Sequence, residues 1–398
     1  MNDVLKLGEP ALGESRFSRF DLMGWWDQKR LSAARVLVIG AGALGNEMIK
    51  NLALLGVGRV FIADLDVIEN SNLSRSVLFR AEDCGRHKAE VAAARAGEIY
   101  PDMLTQSFVG NIAYDLGLGV YRWADVILGG LDNREARVAM NLASAQVGKP
   151  WIDGAIERLD GVARVFDPSV GPCYECTMSK IDWQMLEARR SCALLSRDEM
   201  EQGKVPTTPT TASVIAGIQV QEAVKMLHGL PTISGQGFVF DGTNHQSYLV
   251  TYSRLNDCPS HDAFDVVETL DERVDRTRAG DLLERVRSTL GDSAVIETNH
   301  DLLASLSCAS CGETEPCHVS LGKVTEKMAV CPTCGSPRTP NIYHTIGDEP
   351  ELLDQTLWEL GVPRWDVLCG RRGMEQRYYE FTGDREQVLG SLFTSGQY

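Results

Sequence analysis

The sequence predicts an α/β protein with a doubly wound, mainly parallel sheet, followed by a smaller α+β module. Two observations predict the sheet: short, wholly apolar runs typical of strands buried on both faces, and helix-like segments between them. Strands and helices that alternate at these lengths favour a parallel sheet covered on both faces. The third observation is a set of paired cysteines towards the C-terminus, which distinguishes the last part of the chain.

The first half of the chain consists of segments whose ends carry recognisable signals. Apolar runs at 36–39, 59–63 and 124–128 are predicted strands, and a helix is predicted from Lys88 to Ile99. Glycine readily ends a helix and proline cannot continue one. The helices between the strands are therefore expected to end at Gly56, before Pro101 and at Gly148.

Beyond Pro150 the pattern changes to antiparallel elements and one long connection. A turn at 159–161 between strand-like flanks predicts a hairpin. Residues 180–206 are charged, poorly periodic and long enough to be a functional loop. Threonine hydroxyls can cap the helix that follows this loop. The remaining predictions are that helix, over 212–228, and strands at 237–240 and 248–252.

The chain therefore divides into three parts. Residues 1–30 are expected to form an N-terminal arm, and residues 31–262 the α/β domain with its long crossover loop. Charged, weakly hydrophobic sequence at 262–278 marks a boundary. Residues 263–398 are expected to form a separate C-terminal module.

The paired cysteines of this module predict a zinc ribbon. Cys308-Ala-Ser-Cys311 and Cys331-Pro-Thr-Cys334 are separated by nineteen residues, and glycine follows each pair. Such spacing places four thiolates around one structural Zn²⁺.

Composition argues against several classes of function. The formal net charge of −16 disfavours binding to nucleic acid or to an anionic membrane, because phosphate contacts need a basic face. No apolar run approaches the ~20 residues that span a bilayer. Residues 1–13 do not resemble a secretory signal, so we expect a cytoplasmic protein. In that compartment eleven cysteines indicate metal or thiol chemistry rather than disulfides.

A glycine-rich turn after the first strand indicates a nucleotide site. Gly40, Gly42 and Gly45 allow a tight turn into a helix whose N–H groups can bind phosphate, as in a Rossmann-like domain. Asp64 follows the second strand, where its carboxylate can accept hydrogen bonds from ribose hydroxyls. These residues alone suit a nicotinamide dehydrogenase equally well.

Further charged residues favour a triphosphate over a dinucleotide. Arg75 and Lys88 supply two cations close to the glycine-rich helix start. Asp132, just after the third strand, can hold Mg²⁺, which prefers carboxylate, phosphate and water ligands. Asp66 has two interpretations: part of the site, or a cap on the following turn.

With these residues the chain resembles the ubiquitin-activating and sulfur-carrier-activating enzymes, the ThiF-type adenylyltransferases, over residues 16–262. Ser71-Asn72-Leu73-Ser74-Arg75 matches the family's S-N-x-x-R motif. The resemblance implies that 31–262 is an adenylation domain that uses ATP and Mg²⁺. It assigns Asp64 to the ribose, Asp132 to the metal and three residues to the phosphates: Asn72, Arg75 and Lys88.

The N-terminal arm contains a second family segment. Arg16-Phe17-Ser18-Arg19 matches a motif whose second arginine reaches the ATP of the partner subunit. The resemblance therefore implies a homodimer in which Arg19 stabilises charge on the leaving phosphates in trans. The alternative is that Arg19 is a solvated residue of the arm.

A second zinc site is half visible in Cys173-Tyr-Glu-Cys176. Family members complete it with another Cys-x-x-Cys pair, and this chain has Cys258-Pro-Ser-His261 at that place. The resemblance implies a Cys₃His site, because imidazole is a good zinc ligand. The alternative is an eroded site with spare thiols.

The resemblance also implies a catalytic cysteine in the crossover loop, ahead of a proline-containing motif. Cys192 lies there beside Arg189 and Arg190, which favour the thiolate that a nucleophile needs. It is farther from Pro206 than the cysteine of some relatives. The alternative is an incidental loop thiol.

Together these features are interpreted as a bacterial-type activating enzyme for a small ubiquitin-like, β-grasp protein. It would adenylate that protein, capture it as a thioester on Cys192 and pass it to a conjugating enzyme docked on the C-terminal module. The main alternative is a sulfur-carrier adenylyltransferase without thioester transfer. Others are a cyclic-peptide or tRNA-modifying adenylating enzyme, a non-catalytic scaffold, a nicotinamide oxidoreductase, and a module that only dimerises or stabilises the fold.

Overall fold

The computed structural model describes residues 15–184, 206–321 and 324–394. Within these ranges the chain forms an eight-stranded sheet and a six-stranded sheet. The predicted α/β class, with a smaller α+β part that carries the paired cysteines, is confirmed.

The eight-stranded sheet is parallel in its first five strands and antiparallel in the rest. Its strands are β1 (Arg35–Ile39), β2 (Arg59–Ala63), β3 (Leu104–Phe108), β4 (Val126–Gly129), β5 (Trp151–Glu157), β6 (Asp160–Phe166), β7 (Gln236–Asp241) and β8 (Gln246–Thr251). The spatial order is β3-β2-β1-β4-β5-β6-β7-β8. The carboxyl ends of β1, β2 and β4 therefore lie side by side, at the point where strand order reverses and α/β sheets bind ligands.

Helices cover both faces of this sheet. They are α1 (Gln28–Ala33), α2 (Ala43–Leu55), α3 (Lys88–Ile99), α4 (Leu118–Trp123), α5 (Arg134–Val147) and α6 (Pro209–His228). Alternate residues of β1 point to opposite faces, so Val36 and Val38 pack with α2, α3 and α6 while Leu37 and Ile39 pack with α4 and α5. None of the described helices combines the length and the apolar character that crossing a bilayer requires.

Three local features differ from the sequence-based expectation. β3 was not predicted, because its Leu-Thr-Gln-Ser-Phe sequence lacks an apolar run and it lies at the sheet edge. The hairpin turns at Arg158 and Leu159, one or two residues earlier than expected. Helix α6 begins at Pro209 with Thr208 as its N-cap, because proline is well tolerated in a first helical turn.

The six-stranded sheet is built from residues after 266. Its elements are β9 (Val267–Leu270), α7 (Ala279–Leu290), β10 (Val295–Ser307), β11 (Thr314–Ser320), α8 (Glu326–Ala329), β12 (Thr339–Ile346), α9 (Pro350–Leu353), β13 (Val367–Arg372), β14 (Glu375–Phe381) and α10 (Arg385–Leu389). The order is β11-β10-β13-β14-β9, and β12 pairs with the other edge of β10. Apolar residues of α7 pack on this sheet and form a core of their own.

The C-terminal part is docked on the face of the first sheet that carries α4 and α5. Trp365 and Leu392 belong to the same buried cluster as Leu37 and Phe61 of the first sheet. The Asp366 carboxylate accepts a hydrogen bond from the Leu118 backbone N–H at the start of α4, at 2.9 Å. The two parts therefore share a core.

Candidate functional site

The loop between β1 and α2 needs glycine at two positions and leaves space at a third. Gly40 has φ +90°, and a Cβ there would lie 2.5 Å from the Gly130 carbonyl oxygen. A Cβ on Gly45 would lie 1.9 Å from the Gly40 carbonyl oxygen. At Gly42, the N-cap of α2, a Cβ would meet nothing within 4 Å. The helix start is therefore open to a ligand.

Asn46, which sequence reasoning missed, ties this loop to the segment after β2. Its side chain is fully buried and its amide donates to the carbonyl oxygens of Ala41, at 2.6 Å, and Gly42, at 3.0 Å. Its own carbonyl oxygen accepts from the Leu78 backbone N–H at 2.8 Å. The available signal was a polar residue within the buried stripe of α2.

Asp64 joins the end of β2 to the glycine loop. One carboxylate oxygen accepts from the Ala41 backbone N–H at 2.6 Å, and the other accepts from the Asp66 backbone N–H at 2.8 Å. Burial raises the pKa of Asp64 above its ordinary value, and Lys88 opposes that shift. An acidic group is thus held against the first turn of the nucleotide loop, where it can accept from a ribose.

Lys88 is the first residue of α3 and is held by an acidic neighbour. It is 9% exposed, and its Nζ donates to an Asp66 carboxylate oxygen at 2.7 Å. Asp66 therefore does more than cap a turn, because it binds the ammonium group of Lys88. The Lys88 backbone N–H also donates to the Asp66 carbonyl oxygen at 3.0 Å.

Asn72 and Arg75 lie in the segment between β2 and α3. Asn72 is buried, and its Oδ1 accepts from the Glu69 backbone N–H at 2.9 Å. Arg75 is half-buried, and its guanidinium donates to the Ser71 carbonyl oxygen at 2.8 Å. The amide of Asn72 thus shapes the turn, and Arg75 extends from it.

Asp132 lies after β4 and has an exposed side chain. Asn133, the N-cap of α5, donates to an Asp132 carboxylate oxygen at 3.2 Å. The end of β4 contacts the glycine loop, since the Gly130 backbone N–H donates to the Ile39 carbonyl oxygen at 2.8 Å. An exposed carboxylate on this edge suits Mg²⁺, which is bound by one or two carboxylates together with substrate phosphates.

The first predicted zinc set comes together in space. The ligand atoms of Cys173, Cys176, Cys258 and His261 all lie within 4.8 Å of one another. Cys173 Sγ is 3.7 Å from Cys176 Sγ and 3.5 Å from Cys258 Sγ, and Cys176 Sγ is 3.2 Å from His261 Nε2. Tetrahedral zinc with Zn–S bonds of about 2.3 Å separates its sulfurs by about 3.8 Å. The donor set therefore fits zinc, and the histidine substitution keeps the geometry.

The second predicted set, Cys308, Cys311, Cys331 and Cys334, is equally close. Sulfur separations of 3.5 Å and 3.6 Å join the two pairs across the site, far longer than a disulfide bond of about 2.05 Å. Gly312 and Gly335 adopt φ values of +76° and +74° and close two matching turns. These turns donate N–H groups back to Cys308 and Cys331, at 2.9 Å each, which is the backbone geometry of two zinc knuckles.

Cys192 lies outside the described residues, so its place in the site stays a prediction. The described ends of its loop are both fixed. Asp182 pairs with Arg134 at the start of α5 at 3.0 Å, and the Pro206 carbonyl oxygen accepts from the Arg158 backbone N–H at 2.6 Å.

The N-terminal arm is anchored by Arg16 and leaves Arg19 exposed. The Arg16 guanidinium donates to the Ile99 carbonyl oxygen at 2.6 Å and stacks on the Tyr100 ring, 5.0 Å from its centroid. Phe17 packs edge-on against the same ring. The first arginine of the motif thus binds its own subunit, and the second is directed to solvent.

With glycine loop, acidic and basic residues on one sheet edge and a paired-cysteine site beside them, the chain belongs to the ThiF family, whose model matches residues 15–260. The sulfur carrier protein adenylyltransferase of Thermus thermophilus is 32% identical over 58% of this chain and 83% of its own length. The SAMP-activating enzyme E1 of Haloferax volcanii is 32% identical over 64% of this chain and 92% of its own.

A solved structure supports the fold. Escherichia coli MccB with ATP superposes with a TM-score of 0.53 at 20% identity, over 64% of this chain and 75% of the MccB chain. At that identity the similarity concerns the fold alone. The family match ends at residue 260, so the six-stranded sheet lies beyond it.

Proposed function

We propose that this chain adenylates the C-terminal carboxylate of a small ubiquitin-like or sulfur-carrier protein with ATP. The observation that carries the proposal is the convergence of the open glycine loop, Asp64 and Lys88 at the carboxyl ends of adjacent strands. The names of the two relatives supply the two kinds of protein substrate.

The chemistry follows from positioning and charge. One oxygen of the ionised carboxylate forms a bond to the α-phosphorus of ATP, the bond from that phosphorus to the bridging oxygen breaks, and pyrophosphate leaves. Arg75, Lys88 and the N–H groups at the start of α2 would offset the charge of the phosphates. Asp132 would hold Mg²⁺, which supplies further charge neutralisation when bound. No general base is required, because the attacking carboxylate is already ionised.

A thioester step on Cys192 is the finer part of the proposal. The Cys192 thiolate would attack the acyl carbon of the adenylate, and AMP would leave. The test is ATP–pyrophosphate exchange with β-grasp proteins encoded nearby, followed by a non-reducing gel. Exchange with a thiol-sensitive adduct that Cys192→Ala abolishes would support this step. Exchange without an adduct would favour the sulfur-carrier alternative, and an adduct that persists in Cys192→Ala would refute the assignment.

We further propose that Arg19 acts in a homodimer, across the subunit interface. The anchoring of Arg16 and the exposure of Arg19 support this reading. Arg19→Ala and Lys88→Ala are each expected to lose pyrophosphate exchange. Mixed subunits should regain about a quarter of the activity, because half the dimers would contain one intact site. No recovery on mixing would place Arg19 in its own subunit or outside the site.

Docking of a conjugating enzyme on the C-terminal part is also a proposal. Its support is that this part exposes isolated apolar side chains, Ile342 at 48% and Met374 at 95%. Ile342→Asp and Met374→Asp should reduce transfer from Cys192 while leaving thioester formation intact. Normal transfer in the double variant would contradict docking through these residues.

A further inference from the structure

A buried Arg–Asp–Arg cluster lies next to the loop that carries Asp132. At its centre is Asp153 on β5, whose side chain has no exposed surface. Arg137 of α5 and Arg164 of β6 bind its two carboxylate oxygens from opposite sides. The roles proposed above do not use these three residues.

Arg137 connects this cluster to the loop itself. Its Nε donates to an Asp153 carboxylate oxygen at 2.8 Å. Its terminal nitrogen donates to the Leu131 carbonyl oxygen at 2.5 Å and to the Gly154 carbonyl oxygen at 3.0 Å. The Leu131 carbonyl belongs to the peptide bond that joins it to Asp132, so the guanidinium holds the backbone from which that carboxylate projects.

Arg164 connects the cluster to the first cysteine site. Two of its nitrogens bind Asp153, and a third donates to the Thr177 hydroxyl at 3.3 Å. Its guanidinium lies over the Tyr174 ring, 5.1 Å from the centroid. Tyr174 and Thr177 flank the second cysteine of Cys173-Tyr-Glu-Cys176, so one guanidinium spans the distance from the knuckle to Asp153.

The charge on Asp153 is maintained despite its burial. Desolvation alone would raise the pKa of this carboxyl group, but Arg137 and Arg164 hold the pKa below its ordinary value. A buried ion pair is weak evidence for stability, since desolvation of the charges offsets their attraction. The contact from Arg137 to the Leu131 carbonyl is instead a specific restraint on the loop.

We propose that Asp153 is a positioning residue that fixes, through Arg137, the place of the Asp132 carboxylate relative to the glycine loop. The inference rests on the proposed function, because it requires Asp132 to bind Mg²⁺ together with ATP. Groups that orient metal ligands without touching the metal commonly affect metal affinity by 10- to 100-fold.

The test measures binding of methylanthraniloyl-ATP to the full chain as Mg²⁺ is varied. Asp153→Asn keeps the shape of the side chain but removes the charge, so Arg137 is held less firmly. We expect about a tenfold rise in the half-saturating Mg²⁺ concentration, with zinc content unchanged. The matched control is Asp125→Asn, which breaks another Asp–Arg pair, with Arg35 at 2.7 Å, just before β4 at the opposite end of the strand. It should leave the Mg²⁺ dependence unaltered.

A second variant covers the case in which Asp153→Asn does not fold. Arg137→Lys keeps the positive charge, but a single ammonium group cannot bind both the Asp153 carboxylate and the Leu131 carbonyl oxygen with the same geometry. It should show the same rise in Mg²⁺ requirement. An unchanged requirement in a folded variant, with the wild type depending on Mg²⁺, overturns the positioning role. A wild type that binds no nucleotide overturns the proposed function, and the inference with it.

Discussion

At the residue scale, the glycines of the nucleotide loop have different physical reasons. Gly45 is needed because the Gly40 carbonyl oxygen occupies the space where a Cβ would lie, at 1.9 Å. Gly42 faces open space and has φ −73°, which any residue adopts. Glycine at 42 is therefore explained by a bound ligand rather than by the fold.

This difference gives a paired prediction. Gly45→Ala should lower the free energy of unfolding by about 1–3 kcal/mol, the usual cost of overpacking, measured by urea denaturation. Gly42→Ala should unfold like the wild type yet bind ATP at least about tenfold more weakly, because its methyl group obstructs close backbone approach to phosphate. Normal ATP affinity in Gly42→Ala would show that the phosphates do not lie over this turn.

Some site residues were predictable from sequence, and others were not. Asp64 and Asp132 directly follow predicted strands, and that position alone brings them to one sheet edge. Asn46 and Asp153 escaped notice because their partners are backbone groups and arginines distant in sequence. Only the completed fold brings those partners close, so no local pattern could reveal them.

At the element scale, the strands that matched prediction are those buried on both faces. Strands β1 and β2 have continuous apolar runs, whereas β3 is polar and lies at the edge, where packing does not dictate its side chains. The knuckle loops were predictable because zinc geometry limits the spacing of its ligands. The docking of the C-terminal part was not, because it depends on a few side chains such as Trp365.

The loop after β9 gives a pH-dependent prediction. Hydrogen bonds from Arg273, with help from Arg364, lower the pKa of Asp275 from its ordinary value of 3.8 to about 2. The charged carboxylate therefore stabilises the fold above about pH 4, and this contribution is lost as the pH falls towards about 2. The difference in unfolding free energy between wild type and Asp275→Asn should shrink across that interval in chemical denaturation. A constant difference would contradict the assignment.

The knuckle loops predict separate metal contents. The intact chain should contain two zinc ions, one in each four-residue set. Cys331→Ser should lose the zinc of the C-terminal part only, because the other set shares none of its ligands. Metal analysis after dialysis measures this, and loss of both ions together would show that the two sites depend on each other. Cys173→Ser with Cys176→Ser is the reciprocal variant.

At the scale of the whole molecule, the two sheets behave as one body because they share a core. Trp365 is 2% exposed, its ring lies against Gly119, and its Nε1 donates to a Glu380 carboxylate oxygen at 2.9 Å. The Ser391 hydroxyl donates to the Thr105 carbonyl oxygen on β3 at 2.7 Å. Deleting the C-terminal part would therefore uncover a buried face of the adenylation sheet and would not be a neutral truncation.

The shared core predicts the cost of removing one side chain. Trp365→Ala should lower the free energy of unfolding by about 3–5 kcal/mol, as for other buried aromatic residues, and should loosen both parts together. Trp358→Ala is the matched control, because that ring is 37% exposed and its loss should cost far less. Two separate unfolding transitions in the wild type would show that the parts are independent.

The close fit of Gly117 and Gly119 against Trp365 has a consequence for exchange of parts between relatives. A Cβ on Gly117 would lie 2.3 Å from the Arg364 carbonyl oxygen, and one on Gly119 would lie 2.4 Å from the Trp365 ring. A chimera that receives only residues after 262 would therefore lack their seat. Recombination, natural or engineered, has to carry the start of α4 along with the distant C-terminal segment, so the two stretches are inherited as a pair.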